Sequence, residues 1–161
     1  MNEKPKLNYA KPEHNFSASQ KIDFVFYENE KLVPNLFDTN AKQIAETFFV
    51  NGPRAACVSG SQLRKLFDEM KRYERLIDAN KNAWNEQQPF IKLLKSKTAY
   101  QVSRAIKNNP KLESAYKNVE HFISRGIDLV KTEKDYHVFV SLFEAVYGFY
   151  YASACDKGLK I

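Results

Sequence analysis

The chain has 161 residues, of which 43% are hydrophobic, and a formal net charge of +6 at pH 7. This length suits a single domain with a real core, and a total of five glycines argues against an all-β fold, which needs a turn about every 8–12 residues. The basic balance favours an anionic partner: nucleic acid, a membrane surface or an acidic protein. The two cysteines, Cys57 and Cys155, lie far apart in no metal-binding spacing, so we expect a reducing compartment and no disulfide.

Residues 1–36 are predicted to form an N-terminal arm that is partly extended or disordered. Residues 1–20 are polar, contain Pro5 and Pro12, and have no apolar stretch of the kind that a signal peptide carries. The segment Ile22–Tyr27 is rich in β-branched and aromatic residues, which predicts an extended segment packed on the domain or on a partner. Because no run of 18 apolar residues occurs, we expect no transmembrane helix and a soluble, cytoplasmic protein.

Residues 37–161 are predicted to form one all-α domain, a single-domain bundle of about five helices. The first helix is expected over about residues 38–50, ended by the Gly52-Pro53 pair and followed by a loop. The second is expected to run from a serine cap, Ser59 or Ser61, to about residue 77. Its apolar residues recur on one side at helical spacing: Leu63, Leu66, Phe67, Met70, Tyr73 and Ile77.

Three further helices are predicted after a polar stretch. The third is expected to begin at Pro89 and to stop at Asn108-Asn109-Pro110, with Ser96 or Lys97 as the candidate position of a kink. A fourth is expected over about residues 112–131 and a fifth over about residues 134–155. The fifth is apolar nearly all round, which predicts that it is buried on every side, as the central helix of the bundle or against another protein.

No catalytic residue, metal site or cofactor is predicted. The three histidines, His14, His121 and His137, share no metal-binding spacing with one another, and no glycine-rich phosphate loop occurs. Glu144 stands alone in the most apolar helix. A buried carboxylate there would act as a general acid or base or, as we favour, form a salt bridge to an arginine of a neighbouring helix. An enzyme that uses Glu144 or Cys57 is an alternative hypothesis for this chain.

Basic residues form two stripes, one on the second helix and one on the third. Arg64, Lys71 and Arg75 align within about 40° by helical geometry. Six bases and no acid occur over residues 91–112, while the acids Asp68 and Glu69 are expected to form ion pairs. Two such stripes predict a track for nucleic-acid phosphates, with an aromatic ring to stack on a base. The residues predicted to contact the nucleic acid are Gln62, Arg64, Lys65, Lys71, Arg72, Arg75, Lys95, Lys97, Tyr100, Arg104 and Lys107.

Three segments resemble motifs of the small subunit of type III-A (Csm) CRISPR effector complexes. Ser61–Phe67 resembles the S-Q-I/L-R-K-F-Y opening of that family, and Leu94–Tyr100, with Arg104 one turn on, resembles its L-K-x-K-x-A-Y-x-x-x-R segment. Phe139–Val146, with Tyr150, resembles its closing F-x-x-F-E-A-I/V run. Order and spacing agree over about residues 38–155. The N-terminal arm is longer than usual, and a serine stands at position 96 where proline is common.

The resemblance implies a non-catalytic helical subunit, present in more than one copy, that lines the inner filament of a ribonucleoprotein complex. Its implied partners are guide RNA and target RNA, whose duplex it contacts by the phosphates, the other Csm subunits, and neighbouring copies of itself. RNA cutting, DNA cutting and cyclic-nucleotide synthesis would belong to other subunits, and Glu144 would be structural. The alternative is a homo-oligomerisation or protein-interaction module that uses the apolar last helix and has no direct nucleic-acid role.

Overall fold

The structure is a computed structural model, and it describes residues 22–161. The polar segment of residues 1–20, expected to be mobile, lies outside this range. Within it the fold is all-α, as predicted: five α-helices form a bundle, with two small β-hairpins and two short helical turns. In chain order the elements are β1 (Tyr27–Glu28), β2 (Lys31–Leu32), a π-helical turn (Leu36–Asn40), α1 (Ala41–Glu46), β3 (Phe49–Val50), β4 (Ala56–Cys57), α2 (Gly60–Asp78), α3 (Ala83–Asn108), a 3-10 turn (Pro110–Leu112), α4 (Glu113–Leu129) and α5 (Glu133–Asp156).

The extended segment that precedes and enters β1 packs on the helical bundle. Ile22, Phe24 and Phe26 are buried and alternate with more exposed residues, which is the two-residue period of an extended chain. Arg125 of α4 donates from Nε to the Phe24 carbonyl oxygen at 3.2 Å, and His121 Nε2 lies 2.8 Å from the Ile22 carbonyl oxygen. The expected packing of this segment on the domain is therefore confirmed.

The first helix is shorter than predicted, because the residues after it form a β-hairpin. α1 ends at Glu46, and Phe49–Val50 pairs antiparallel with Ala56–Cys57. Gly52 has a φ of 128°, which L side chains rarely adopt, so the Gly52-Pro53 pair lies in the turn of a hairpin. The predictions of a helix up to Val50 and of a plain loop after it were wrong. Aromatic and β-branched residues favour strand pairing once a partner strand is available.

Helix α2 agrees with its prediction at both ends. Ser59 is the N-cap, and its hydroxyl accepts a hydrogen bond from the Gln62 amide at 3.4 Å. Tyr136 of α5 donates from its hydroxyl to the Met70 carbonyl oxygen at 2.8 Å, inside the core. The predicted apolar side faces the core, where these residues are buried: Leu63, Leu66, Met70, Tyr73 and Ile77.

Helix α3 begins at Ala83, earlier than the predicted start at Pro89. Ala83 is buried, and the Trp84 ring packs on Tyr136 of α5 with 6.4 Å between the ring centroids. Tertiary packing thus extends the helix upstream of the proline. Pro89 lies inside the helix, where its missing N–H removes one backbone hydrogen bond. The helix runs continuously through the candidate kink, and its predicted stop is confirmed.

Helices α4 and α5 occupy their predicted ranges to within a few residues. A capping box begins α5: the Thr132 hydroxyl accepts from the Asp135 amide at 3.2 Å, while the Asp135 carboxylate accepts from the Thr132 amide at 2.8 Å. Gly126 permits the close crossing of the two helices, because a Cβ there would lie 2.0 Å from the Phe139 ring. Helix α5 is the central helix of the bundle, with these side chains fully buried: Tyr136, Phe139, Leu142, Phe143, Val146 and Tyr150.

One face of α5 is exposed within the described chain, so the bundle by itself does not bury this helix on every side. Burial of that face against another protein stays a prediction. Mostly small or polar residues recur on this face: Ser141, Glu144, Gly148, Tyr151 and Cys155. Glu144 is exposed and forms no ion pair within residues 22–161, so the expected buried carboxylate and its salt bridge are absent there. By length and composition α5 would suffice to span a membrane, but in the fold its other faces pack into the core of the bundle.

Candidate nucleic-acid interface

Helices α2 and α3 run antiparallel and form an open groove along one edge of the bundle. Its volume is ≈ 370 Å³, and side chains of both helices line it. Five of the residues predicted to contact nucleic acid lie there: Gln62, Lys65, Lys97, Tyr100 and Arg104. Tertiary packing thus joins part of the stripe on α2 to part of the stripe on α3.

Helical spacing determines which side chains reach this groove. On α3 the groove residues follow one another at intervals of three or four, beside the buried row of Leu94, Thr98 and Val102. On α2, Gln62 and Lys65 flank the buried Leu63 in the same way. The apolar rows hold the helices together, and the polar rows beside them are left at the rim of the groove.

An ion pair across the two helices sets the position of Lys97. Its ammonium group pairs with the Glu69 carboxylate of α2, so the expected ion pairing of Glu69 is confirmed. The hydrogen bond that Lys97 donates to Glu69 raises the pKa of the lysine above its ordinary value, because the carboxylate stabilises the protonated form. Glu69 offsets part of the positive charge of the groove while it holds Lys97 at the rim.

Tyr100 is the most exposed large apolar side chain in the described part of the chain, with 63% of its surface accessible. The Arg104 guanidinium carbon lies 5.6 Å from the centroid of its ring, within the range of a cation–π interaction. Ring and guanidinium therefore sit one helical turn apart on the same edge of α3. Together they present an aromatic face and a positive charge to the groove.

The bases Arg64 and Lys71 lie on the other side of α2, towards α5. Arg64 Nε bonds to Asp68 Oδ1 at 2.9 Å, and this hydrogen bond with Asp68 is the main cause that raises the pKa of Arg64, with a smaller contribution from Tyr147 of α5. Lys71 pairs with the Glu74 carboxylate. The expected ion pairing of Asp68 is therefore confirmed, and these two bases do not line the groove.

The remaining predicted contact residues are spread around α2 and α3. Lys95 turns towards α4, where its Nζ lies 2.8 Å from Asp128 Oδ1. The Arg72 guanidinium carbon lies 5.6 Å from the centroid of the Tyr73 ring. Arg75 and Lys107 are exposed and form no ion pair with any residue of the 22–161 range. None of the four lines the α2–α3 groove.

Two amide side chains of the groove were not among the predicted contact residues. Gln101 and Asn108 line it beside the bases of α3. Their spacing was a usable signal, since Gln101 follows Lys97 by four positions and Asn108 follows Arg104 by four. Both amides can donate and accept hydrogen bonds, whereas lysine and arginine side chains can only donate them.

His137 lies among three carboxylates where α2 ends and α5 begins. Its Nδ1 is 3.2 Å from Glu74 Oε1, and its Nε2 is 3.2 Å from Asp78 Oδ1 and 3.9 Å from Glu133 Oε1. Within residues 22–161, His137, Asp78 and Glu133 are the group whose atoms lie close enough to share a metal ion. No two histidines of the sequence share a metal-binding spacing. The group found here instead combines one histidine with two acids, and it is contributed by two helices.

Cys57, the second residue of the enzyme hypothesis, lies beside a buried tyrosine. Its Sγ is 3.6 Å from the Tyr150 hydroxyl, which donates to the Val58 carbonyl oxygen at 2.6 Å. Burial raises the pKa of Tyr150, which favours the protonated hydroxyl that donates this hydrogen bond. Glu144 is exposed, and Cys57 lies beside a tyrosine hydroxyl that donates to a backbone carbonyl oxygen.

Fold and groove together place the chain among small all-α proteins that carry a basic groove between two helices. A comparison with protein-family models matches residues 31–154 to the family described as Csm2 Type III-A. The match spans most of the chain and all three motifs quoted above, and the chain belongs to the Csm2 Type III-A family. It is thus a small subunit of the type III-A CRISPR (Csm) complex and assembles with other subunits. Comparisons with curated proteins and with solved structures find no match.

Proposed function

We propose that this chain is a non-catalytic RNA-binding subunit and that the α2–α3 groove holds the phosphate backbone of guide and target RNA. The observation that carries the proposal is the meeting of three bases from two helices, Lys65, Lys97 and Arg104, along one groove. Clustered lysines and arginines neutralise phosphates and release counterions, so binding is tolerant of sequence and sensitive to salt. The other predicted bases would add long-range attraction rather than contacts in the groove.

The setting of this function is the type III-A interference complex. Membership of the Csm2 family supports a structural role among the other subunits. We propose in addition that neighbouring copies of the same chain lie side by side along the filament. The proposal assigns no bond-breaking step to this subunit. A soluble, cytoplasmic location is part of the proposal as well, and the core packing of α5 supports it.

A paired charge reversal tests the groove. The double variant Lys65→Glu and Arg104→Glu leaves the Lys97–Glu69 ion pair in place, so the helices remain tied together. We expect RNA affinity at low salt to fall roughly tenfold or more. For a single-stranded RNA, the slope of log affinity against log salt should become shallower by about 1.4, because two phosphate contacts of about 0.7 each are lost. Fluorescence anisotropy with a labelled RNA over a salt series measures both quantities.

The matched control is Lys42→Glu with Lys131→Glu, which changes the net charge equally at two exposed bases outside the groove. It should retain most of the affinity, and circular dichroism should report native helix content for both variants. If the groove variant binds RNA as tightly as the control variant at low salt, the groove is not the RNA site.

A further inference from the structure

We infer that the α2–α3 groove takes an unpaired nucleotide, whose base stacks on Tyr100 while the neighbouring phosphates meet the bases at the rim. This inference rests on the proposed function, since it specifies the form of RNA that the same groove receives. It makes Tyr100 the residue that distinguishes single-stranded from paired RNA.

The exposure of the Tyr100 ring is the first observation behind this inference. A ring with 63% of its surface accessible stands at the edge of α3, although buried positions of the same helix hold Leu94 and Val102. Exposed aromatic rings beside basic residues are the stacking platforms of single-strand binding sites, because every base has a π face. The ring therefore offers the groove a contact that depends on a base and not on a phosphate.

Arg104 places a charge next to that platform. Its guanidinium lies 5.6 Å from the ring centroid, so the ring and the cation hold each other in position before any ligand arrives. Lys97, anchored by Glu69, stands less than one helical turn away along the same edge. A strand whose base rests on the ring thus finds positive charge beside it for its own phosphates.

The size and lining of the groove favour one nucleotide over a duplex. A volume of ≈ 370 Å³ falls in the range of about 300–1,000 Å³ that small-ligand sites have. Gln62, Gln101 and Asn108 line the groove with amide donors and acceptors that match the polar edges of a base. In the interior of a duplex those edges are paired and both base faces are covered by neighbours, so only an unpaired base can meet the ring and the amides together.

Binding of one RNA in two forms tests the inference on the full chain. A labelled 12-nucleotide single strand and the same strand in a blunt duplex are each titrated by fluorescence anisotropy. For the single strand, Tyr100→Ala should weaken binding by about fivefold or more, whereas Tyr100→Phe should retain it. Duplex binding should stay within about twofold in Tyr100→Ala, since phosphates alone hold the duplex.

Tyr151→Ala is the matched control, because Tyr151 is also an exposed tyrosine, 51% accessible, and lies on α5 away from the groove. It should leave both forms of RNA unaffected. A 2-aminopurine placed in the single strand should lose fluorescence on binding to the native chain and keep it on binding to Tyr100→Ala, which reports stacking directly.

The failures of the two proposals can be told apart. If the double variant of Lys65 and Arg104 loses RNA while Tyr100→Ala binds the single strand normally, stacking is refuted and backbone binding stands. Equal weakening of single strand and duplex by Tyr100→Ala also refutes the inference. If neither variant changes RNA binding, the groove is not an RNA site and both proposals fail.

Discussion

The two sides of helix α2 carry similar residues in different electrostatic settings. On the side towards α5, Arg64 pairs with Asp68 and Lys71 pairs with Glu74, and both acids lie on α2 as well. On the side towards α3, Lys65 and the α3 residue Arg104 form no ion pair within the described residues. Lys97 of α3 pairs with a single acid, Glu69. A stripe of bases therefore becomes a cationic surface only where acids three or four positions away do not neutralise it.

The largest effect should come from the core that both sides of α2 share. Phe143 of α5 lies between Phe67 and Phe122, with ring centroids 5.5 and 5.4 Å away. Phe143→Ala should lower the free energy of unfolding by about 3–5 kcal/mol, because it removes a buried ring and leaves a cavity. Urea denaturation measures the change, and Tyr151→Ala on the exposed face should shift it by less than about 0.5 kcal/mol. A loss below about 1 kcal/mol in Phe143→Ala would contradict this account of the core.

A charge reversal on the α5 side of α2 tests whether the two sides of this helix differ in RNA binding. Arg64→Glu with Lys71→Glu changes the net charge as much as Lys65→Glu with Arg104→Glu does. We expect less than about a threefold loss of RNA affinity, because these two bases are already paired and stand outside the groove. Anisotropy titrations at one salt concentration are sufficient. Equal losses from both double variants would mean that RNA follows net charge and that the two sides of α2 do not differ.

The smallest effect should be a gain. Glu69→Gln removes the acid that pairs with Lys97, so the groove gains one positive charge. RNA affinity at low salt should rise by about two- to threefold, with a slightly steeper salt dependence. Asp68→Asn, which releases Arg64 on the other side of the helix, should change affinity less. Weaker RNA binding by Glu69→Gln would show that positioning of Lys97 matters more than the charge of the groove.

Much of the fold was predictable from local patterns in the sequence. Three features depend only on residues close together in the sequence, and the structure agrees with the prediction of each: the apolar period of α2, its serine cap, and the ranges of α4 and α5. The start of α3 was not predictable in this way. Trp84 is helical because its ring packs on Tyr136, which lies in another helix far along the chain. The hairpin of β3 and β4 likewise depends on a partner strand beyond a turn.

For the candidate site as well, local sequence patterns determined one part and tertiary packing the other. The sequence by itself determined an all-α fold, a basic chain and the residues on each helical edge, because caps and the 3.6-residue period act within one helix. Only the tertiary structure decided that Lys65 faces Lys97 and Arg104 while Arg64 and Lys71 turn towards α5, and that Glu144 is exposed. The orientation of a helix about its own axis follows from the packing of its buried side chains against other helices, and those contacts join residues far apart in the chain.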